Sequence, residues 1–232
     1  MTAAALAWAL AVGGLAYPVS VARTCRRGSW PAYRTAAWCA GVVAAASGLA
    51  LSPSAGDTVH AAGHLLLGMV APLLLVLAAP VTLALRALPV DRARVLSAVL
   101  RSRPARMLAY PLVAATLDAG GLWLLYTTDL HTVPILGLHV LAAGYLFTAA
   151  VVGVDPAPHR ARFAVRATAL VLAAAAHGML AKHLYATGWG AGARVMYYGG
   201  DVIEVALTAL LCREWLAPVR RPTLGLSTAR QG

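Results

Sequence analysis

The sequence predicts an all-α fold, a polytopic membrane helical bundle of seven transmembrane helices with the N-terminus outside and the C-terminus in the cytoplasm. Hydrophobic residues make up 60% of the 232 residues and charged residues only 12%, whereas soluble domains carry about a quarter charged residues. The mean hydropathy of +0.73 also excludes a disordered chain. The net charge of +11 therefore needs an explanation, either nucleic-acid binding or the positive-inside rule of membrane proteins.

The apolar stretches define the predicted spans. A membrane-crossing helix needs about 20 mainly apolar residues. Seven stretches qualify, namely Ala3–Val21, Thr35–Leu51, Thr58–Leu88, Met107–Tyr126, Thr132–Val152, Arg166–Tyr185 and Val195–Cys212. The third is the longest and contains Pro72 and Pro80, so we expect a kink there or a last turn that leaves the bilayer. Residues 1–222 are thus predicted to form one membrane domain, and residues 223–232 a disordered cytoplasmic tail.

The basic residues predict the orientation of these spans. Of the 19 basic residues, 17 follow the first, third, fifth and seventh spans, and only Lys182 and Arg194 lie on the other side. This alternation places the N-terminus outside the cell. Because the charges are divided among four short segments and form no single face, the sequence argues against a nucleic-acid partner and for the lipid bilayer. The first stretch also lacks a basic segment before it, so we predict a span and not a signal peptide.

Sequence motifs for enzymatic chemistry are absent. The chain has no nucleotide-binding loop, no Ser/His/Asp arrangement and no deaminase-type motif, so we predict that it is not an enzyme. Cys25 and Cys212 fall on the predicted cytoplasmic side and Cys39 inside the second span. Without a C-x-x-C motif or an outside pair, a disulfide or a thiolate metal site is not expected.

Ionisable residues in the spans are informative because burying them in lipid is costly. With a rise of 1.5 Å per residue, five spans place an imidazole or carboxylate about 9–15 Å below the outer surface. These residues are His64, Asp118, His139, His177, Asp201 and Glu204. His60 and His183 are predicted near the outer rim and His131 in an outside loop, so His159 alone is predicted to be cytoplasmic. Scattered structural histidines would not be expected to sort by leaflet.

Residue spacing alone does not identify the ligand or the reaction that this band serves. Imidazoles suit zinc, copper, iron or nickel, and carboxylates can add ligands or orient them. The same groups could relay protons, and His64 with His139 could bind a haem axially. A hydrogen-bond network that only holds the helices together would give a similar pattern.

Several motifs in a fixed order resemble those of the CtaG-type cytochrome c oxidase assembly family. They are Val59-His60-Ala-Ala-Gly-His64 followed by Ala71-Pro72 and Ala79-Pro80, then Leu138-His139 with Gly144-Tyr-Leu-Phe147 and Asp155-Pro156, then Ala176-His177-Gly178 and Tyr197-Tyr-Gly-Gly200-Asp201-Val-Ile-Glu204. The resemblance runs from about Asp57 to Trp215. It departs from many members at the Ala-Ala-Gly between the first histidines and at Val202, where many have Gln.

The resemblance implies a role in maturing a haem–copper oxidase in the bacterial plasma membrane, by helping copper reach the catalytic subunit from the outer face. As a hypothesis, copper is bound transiently by His60, His64, His139 and His177. The residues expected to orient these ligands or gate the site are Asp118, Asp201, Glu204 and His131. The alternatives are a metal-ion or proton transporter, a bis-His haem membrane cytochrome, and a scaffold whose polar band only packs helices. The inner halves of the spans offer few ionisable groups, which argues against a transporter.

Overall fold

The computed structural model describes residues 3–25, 28–52, 56–128, 136–157 and 159–216, with the backbone alone for residues 3–13 and 215. All regular structure in these ranges is helical, and they contain no strand. The α-helices are α1 Ala3–Cys25, α2 Ala32–Leu51, α3 Asp57–Leu65, α4 Ala71–Leu77, α5 Pro80–Ala87, α6 Val90–Leu100, α7 Arg103–Leu108, α8 Pro111–Ala115, α9 Gly121–Thr127, α10 Leu136–Val152, α11 Phe163–Leu184 and α12 Gly190–Leu216.

Membrane-type helices confirm the all-helical, membrane-protein prediction. Within the described residues, three stretches are long and apolar enough to cross a bilayer, namely Ala32–Leu51, Asp57–Leu77 and Phe163–Glu214. α10 is apolar but shorter, at 17 residues. The break that the prolines predict in the third stretch lies at Ala79, whose φ of 52° is left-handed. Pro80 then begins α5, a position where its missing N–H is not needed.

In the described ranges, three π-helical turns interrupt the apolar helices. They are π1 Leu66–Val70 between α3 and α4, π2 Thr116–Gly120 between α8 and α9, and π3 Tyr185–Trp189 after α11. Such turns are rare and often occur at functional sites. The chain reverses at Gly188, within π3, and at Gly190, just after it, and their φ angles of 105° and 47° require glycine. α11 and α12 consequently pack side by side.

Glycines allow α3 to lie in the middle of the bundle. A Cβ atom on Gly48 of α2 would lie 2.7 Å from the carbonyl oxygen of Gly63 in α3. A Cβ atom on Gly192 of α12 would lie 2.6 Å from the carbonyl oxygen of Asp57. Small residues permit such close backbone approach between membrane helices. The result is that α3, which carries His60 and His64, is packed between α2 and α12.

Two clusters of buried apolar residues fill the helix interfaces around α11 and α12. The Val151 cluster joins α8, α10, α11 and α12 through Ala114, Ala115, Phe147, Val151, Val152, Ala169, Leu170, Ala173, Leu207 and Leu211. The Met196 cluster joins α3, α9, α11 and α12 through Ala61, Leu122, Leu125, Tyr126, Leu180, Ala181, Leu184, Ala193 and Met196. A small polar cavity borders both clusters, with Leu122 of one and Phe147, Leu170, Ala173 and Leu207 of the other in its wall.

Candidate functional site

The cavity between the clusters gathers four of the predicted site residues. Its volume is about 40 Å³, and its polar lining is His64, Asp118, Thr148, His177 and Glu204. Since a water molecule needs at least about 10–15 Å³ of such volume, the cavity has room for an ion or a few waters. It is far smaller than the roughly 300–1,000 Å³ of pockets that hold larger organic ligands.

Two imidazoles face each other in this cavity. The ring centroids of His64 and His177 are 6.3 Å apart, and both residues are only 7% exposed. The Nε2 atom of each ring is buried and has no hydrogen-bond partner among the described residues. A buried polar atom left unpaired costs about 1–3 kcal/mol. Two such atoms at one place therefore point to a ligand.

Glu204 orients one of the two rings. The Nδ1 atom of His177 lies 3.4 Å from a carboxylate oxygen of Glu204. A proton on Nδ1 would face that carboxylate and would leave the lone pair of Nε2 for a ligand. Metal-binding histidines in proteins commonly have a carboxylate on the other ring nitrogen in this way.

The local sequence explains how the imidazoles fit. A Cβ atom on Gly200 of α12 would collide with the His177 ring, so glycine is needed there. A Cβ atom on Gly68 would lie 3.2 Å from Cε1 of His64. Asp118 lies within π2, and π1 begins two residues after His64. Two of the three π turns are thus next to cavity residues.

His60 lies one helical turn before His64 and outside the cavity lining. It is buried, and its ring meets the rings of Tyr126 and Trp189 edge-on at centroid distances of 5.8 and 5.6 Å. Tyr126 also meets the His64 ring edge-on at 5.9 Å. These aromatic contacts connect His60 to the imidazole pair without making it part of the cavity.

The remaining predicted residues are not gathered with the pair. His139 and Asp201 are exposed, and neither lines the cavity. The His139 ring lies against Gly121 of α9, and His131 falls outside the described residues. In the described part of the chain, no three His, Cys, Asp or Glu side chains lie close enough together to hold a metal ion.

The cavity lining also contains Met69 and Thr148, neither of which was among the predicted site residues. In a regular α-helix, Met69 would face away from His64, because five residues exceed one turn by about 140°. The i→i+5 pattern of π1 brings Met69 back to the His64 face. No sequence signal marks this turn, so the register of Met69 could not be predicted.

Comparison with known proteins assigns the family. Residues 15–217 match the family described as cytochrome c oxidase caa3 assembly factor. The chain belongs to this family. The resemblance that the motifs predicted is therefore confirmed, and the matched range includes every residue of the cavity lining.

Curated relatives of this caa3 assembly factor family member occur in mycobacteria. The chain is 37% identical over 171 residues to uncharacterised proteins of Mycobacterium bovis and Mycobacterium tuberculosis, and 34% identical over 174 residues to one of Mycobacterium leprae. These alignments cover 65–66% of the chain but only 25–26% of each relative. The chain thus spans about a quarter of the length of these relatives. A search of the solved structures finds no match.

Proposed function

We propose that this protein carries copper to the catalytic subunit of a haem–copper oxidase during assembly of that enzyme. The observation that carries this proposal is the pair of buried Nε2 atoms of His64 and His177, which have no hydrogen-bond partner among the described residues. The family description names the oxidase and a role in its assembly. The paired imidazoles supply a place where the protein could hold the ion that the oxidase needs.

The donor set suits copper held briefly. Imidazole is a good copper ligand, and the soft thioether of Met69 in the same lining favours Cu(I). Cu(I) also accepts low coordination numbers, so two imidazoles and a thioether suffice for it. A coordination shell of two imidazoles and one thioether, without thiolates, supports release of copper to a partner better than permanent storage. Asp118 and Glu204 add carboxyl groups beside the cation.

We place this site in the outer half of a seven-helix bundle in the bacterial plasma membrane. The alternating arginines support a topology with the N-terminus outside. Copper would then enter from the outer face, and the oxidase subunit would meet this protein within the bilayer.

The alternative functions receive less support. The cavity is bordered by Leu170, Leu207 and the other apolar side chains of the Val151 cluster, which do not offer an ion or a proton a polar path. A volume of about 40 Å³ is too small for a haem macrocycle, and His139 does not line it.

Copper binding tests the site directly. The purified protein is titrated with Cu(I) in competition with a chromophoric chelator, and His64→Ala and His177→Ala are compared with His139→Ala as the matched control. We expect each cavity variant to bind at least about 100-fold more weakly, because each removes one of few ligands, and the control to bind as the wild type does. A wild type without copper affinity, or a control that is equally impaired, contradicts the proposed site.

The same variants test the role in oxidase assembly. Each is expressed in cells that lack the native gene, and the copper content and activity of the membrane oxidase are measured. We expect His139→Ala to restore both and the two cavity variants to restore neither. If the cavity variants restore the oxidase fully, the protein acts as a scaffold and the copper proposal fails.

A further inference from the structure

A basic groove lies far from the cavity, between α5 and α6. The chain turns at Leu88 and Pro89, and the two helices enclose an open groove of about 750 Å³. Its lining carries the guanidinium groups of Arg86, Arg94 and Arg101 and the hydroxyl of Ser97, together with apolar side chains. No carboxylate of the described residues is among the lining residues.

The positive charge of this groove is not neutralised within the described chain. Arg86, Arg94 and Arg101 form no ion pair there. The guanidinium groups of Arg86 and Arg34 lie 5.6 and 5.0 Å from the ring centre of Trp30, so two cations share one indole. Three arginines that line one groove without an ion pair among the described residues favour an anion bound beside them.

The acidic residues of this region are engaged or directed elsewhere. Asp155 accepts hydrogen bonds from the backbone N–H groups of Val81 and Thr82, at the opposite end of α5 from Arg86. Asp91 is exposed in the first turn of α6 and does not line the groove. An external anion is therefore the available counter-charge. Guanidinium groups match phosphate geometry through paired N–H donors.

The position of the groove indicates the source of that phosphate. α5 begins three residues after Leu77, where the candidate membrane span Asp57–Leu77 ends. No residue of α6 or α7 is buried. Their exposed apolar side chains are Val90, Val95, Val99, Met107 and Leu108. A segment that combines exposed apolar residues with arginines at the end of a span belongs at the depth of the lipid headgroups.

We propose that this groove binds the phosphate of an anionic phospholipid, of the phosphatidylglycerol or cardiolipin type, through Arg86, Arg94 and Arg101. Leu88 and Val90 in the same lining contact the beginning of an acyl chain. The bound lipid fixes the α5–α6 turn against the membrane surface. The proposal does not depend on copper binding or on the orientation of the bundle.

The test uses the purified full-length protein in a neutral detergent, where no charged bilayer surface contributes. Cardiolipin is titrated and thermal unfolding is followed, since a lipid that binds only the folded protein raises Tm. The wild type is compared with the double variant Arg94→Gln/Arg101→Gln. The matched control is Arg92→Gln/Arg103→Gln, which removes two exposed arginines outside the groove, one in α6 and one at the start of α7.

We expect cardiolipin to raise Tm of the wild type and of the control. The groove variant should need at least about tenfold more lipid, because a hydrogen bond to a charged group contributes about 1.5–3 kcal/mol and 1.4 kcal/mol corresponds to a factor of ten. Arg94→Lys/Arg101→Lys keeps the charge and should fall between the two. If the double Gln variant does not fold, Arg94→Gln alone is compared with Arg92→Gln.

Four results would overturn the proposal. Equal loss in the groove and control variants would indicate diffuse attraction without a site. Inorganic phosphate as effective as cardiolipin would indicate a site for a free anion, and phosphatidylcholine as effective as cardiolipin would exclude recognition of net negative charge. Retention of an oxidase subunit that depends on Arg94 and Arg101, without any lipid effect, would make the groove a protein docking surface.

Discussion

Two buried polar regions on α11 and α12 differ in how completely their hydrogen bonds are satisfied. Arg166 of α11 donates from Nε to the carbonyl oxygen of Val151 at 2.7 Å and from NH2 to Glu214 of α12 at 2.7 Å. About three helical turns along α11, His177 faces His64 across the cavity, and neither Nε2 atom has a partner among the described residues. Burial is similar, at 2% for Arg166 and 7% for each histidine.

The difference separates a structural polar group from a functional one. Arg166 joins the last carbonyls of α10, which carry the negative end of the helix dipole, to a carboxylate of α12. It thereby fixes three helices to one another. The histidines satisfy no comparable set of groups: His177 has one contact with Glu204, and the burial of the two Nε2 atoms costs free energy that no described residue offsets. Such a cost is typical of sites that are kept for a ligand.

The largest expected effect is on stability at Arg166. Arg166→Gln removes the charged donor of the Val151 carbonyl oxygen, whereas Glu214, whose side chain is 43% exposed, keeps its ion pair with Arg160. A hydrogen bond to a charged group contributes about 1.5–3 kcal/mol. We expect a clear fall in Tm of the purified protein. His177→Ala should lower Tm less, because it removes one contact at 3.4 Å with Glu204 and not a set of hydrogen bonds from a charged donor.

Arg162→Gln is the matched control for Arg166→Gln. Arg162 is exposed and precedes α11 by one residue, so its loss should change the free energy of unfolding by no more than about 0.5 kcal/mol. If Arg166→Gln and Arg162→Gln have the same Tm, the hydrogen bonds of Arg166 do not stabilise the protein. The contrast between the region around Arg166 and the cavity is then not valid.

The second expected effect is on the Cu(I) affinity of the cavity. Glu204→Gln keeps the shape of the side chain but removes the carboxylate that faces Nδ1 of His177. Loss of such a partner lowers metal affinity by about 10–100-fold, and we expect this fall for Cu(I) with little change in Tm. Asp201→Asn, three residues earlier on α12 and exposed, should bind copper normally. Equal losses in both variants would mean that general negative charge, and not the contact with His177, supports the ion.

Hydropathy and depth predicted the helices and part of the site. Both give the position of a residue along the axis of its helix. They placed four residues in one band, namely His64, His139, His177 and Asp201. Neither determines which way a side chain points around its helix. The structure brings His64 and His177 together, whereas His139 and Asp201 are exposed.

Two local irregularities of the backbone, at π1 and at Ala79, could not be predicted from the sequence for a related reason. π1 turns Met69 toward His64 although the intervening residues are ordinary apolar ones. The left-handed conformation of Ala79 is equally unmarked, because alanine has no preference for it. In both places the packing of neighbouring helices, and not the local sequence, decides the backbone.

The smallest expected effect concerns Asp155, a further satisfied polar group. Its carboxylate accepts from the N–H groups of Val81 and Thr82 at 3.2 and 2.7 Å and from the Thr82 hydroxyl at 2.6 Å. It caps α5 from a distant segment, since Ala79 at the cap position has no side chain that could do so. Asp155→Ala should therefore lower the free energy of unfolding by about 1–2 kcal/mol.

Copper affinity of Asp155→Ala should stay unchanged, because Asp155 does not line the cavity. Asp155→Asn retains an acceptor oxygen and should cost less than Asp155→Ala. Thermal unfolding and the copper titration measured on the same samples separate the two effects. Asp155→Ala could instead weaken copper binding as strongly as His177→Ala does. The hydrogen bonds of Asp155 and the copper affinity of the cavity would then be energetically coupled, and the bundle could not be divided into separate structural and functional regions.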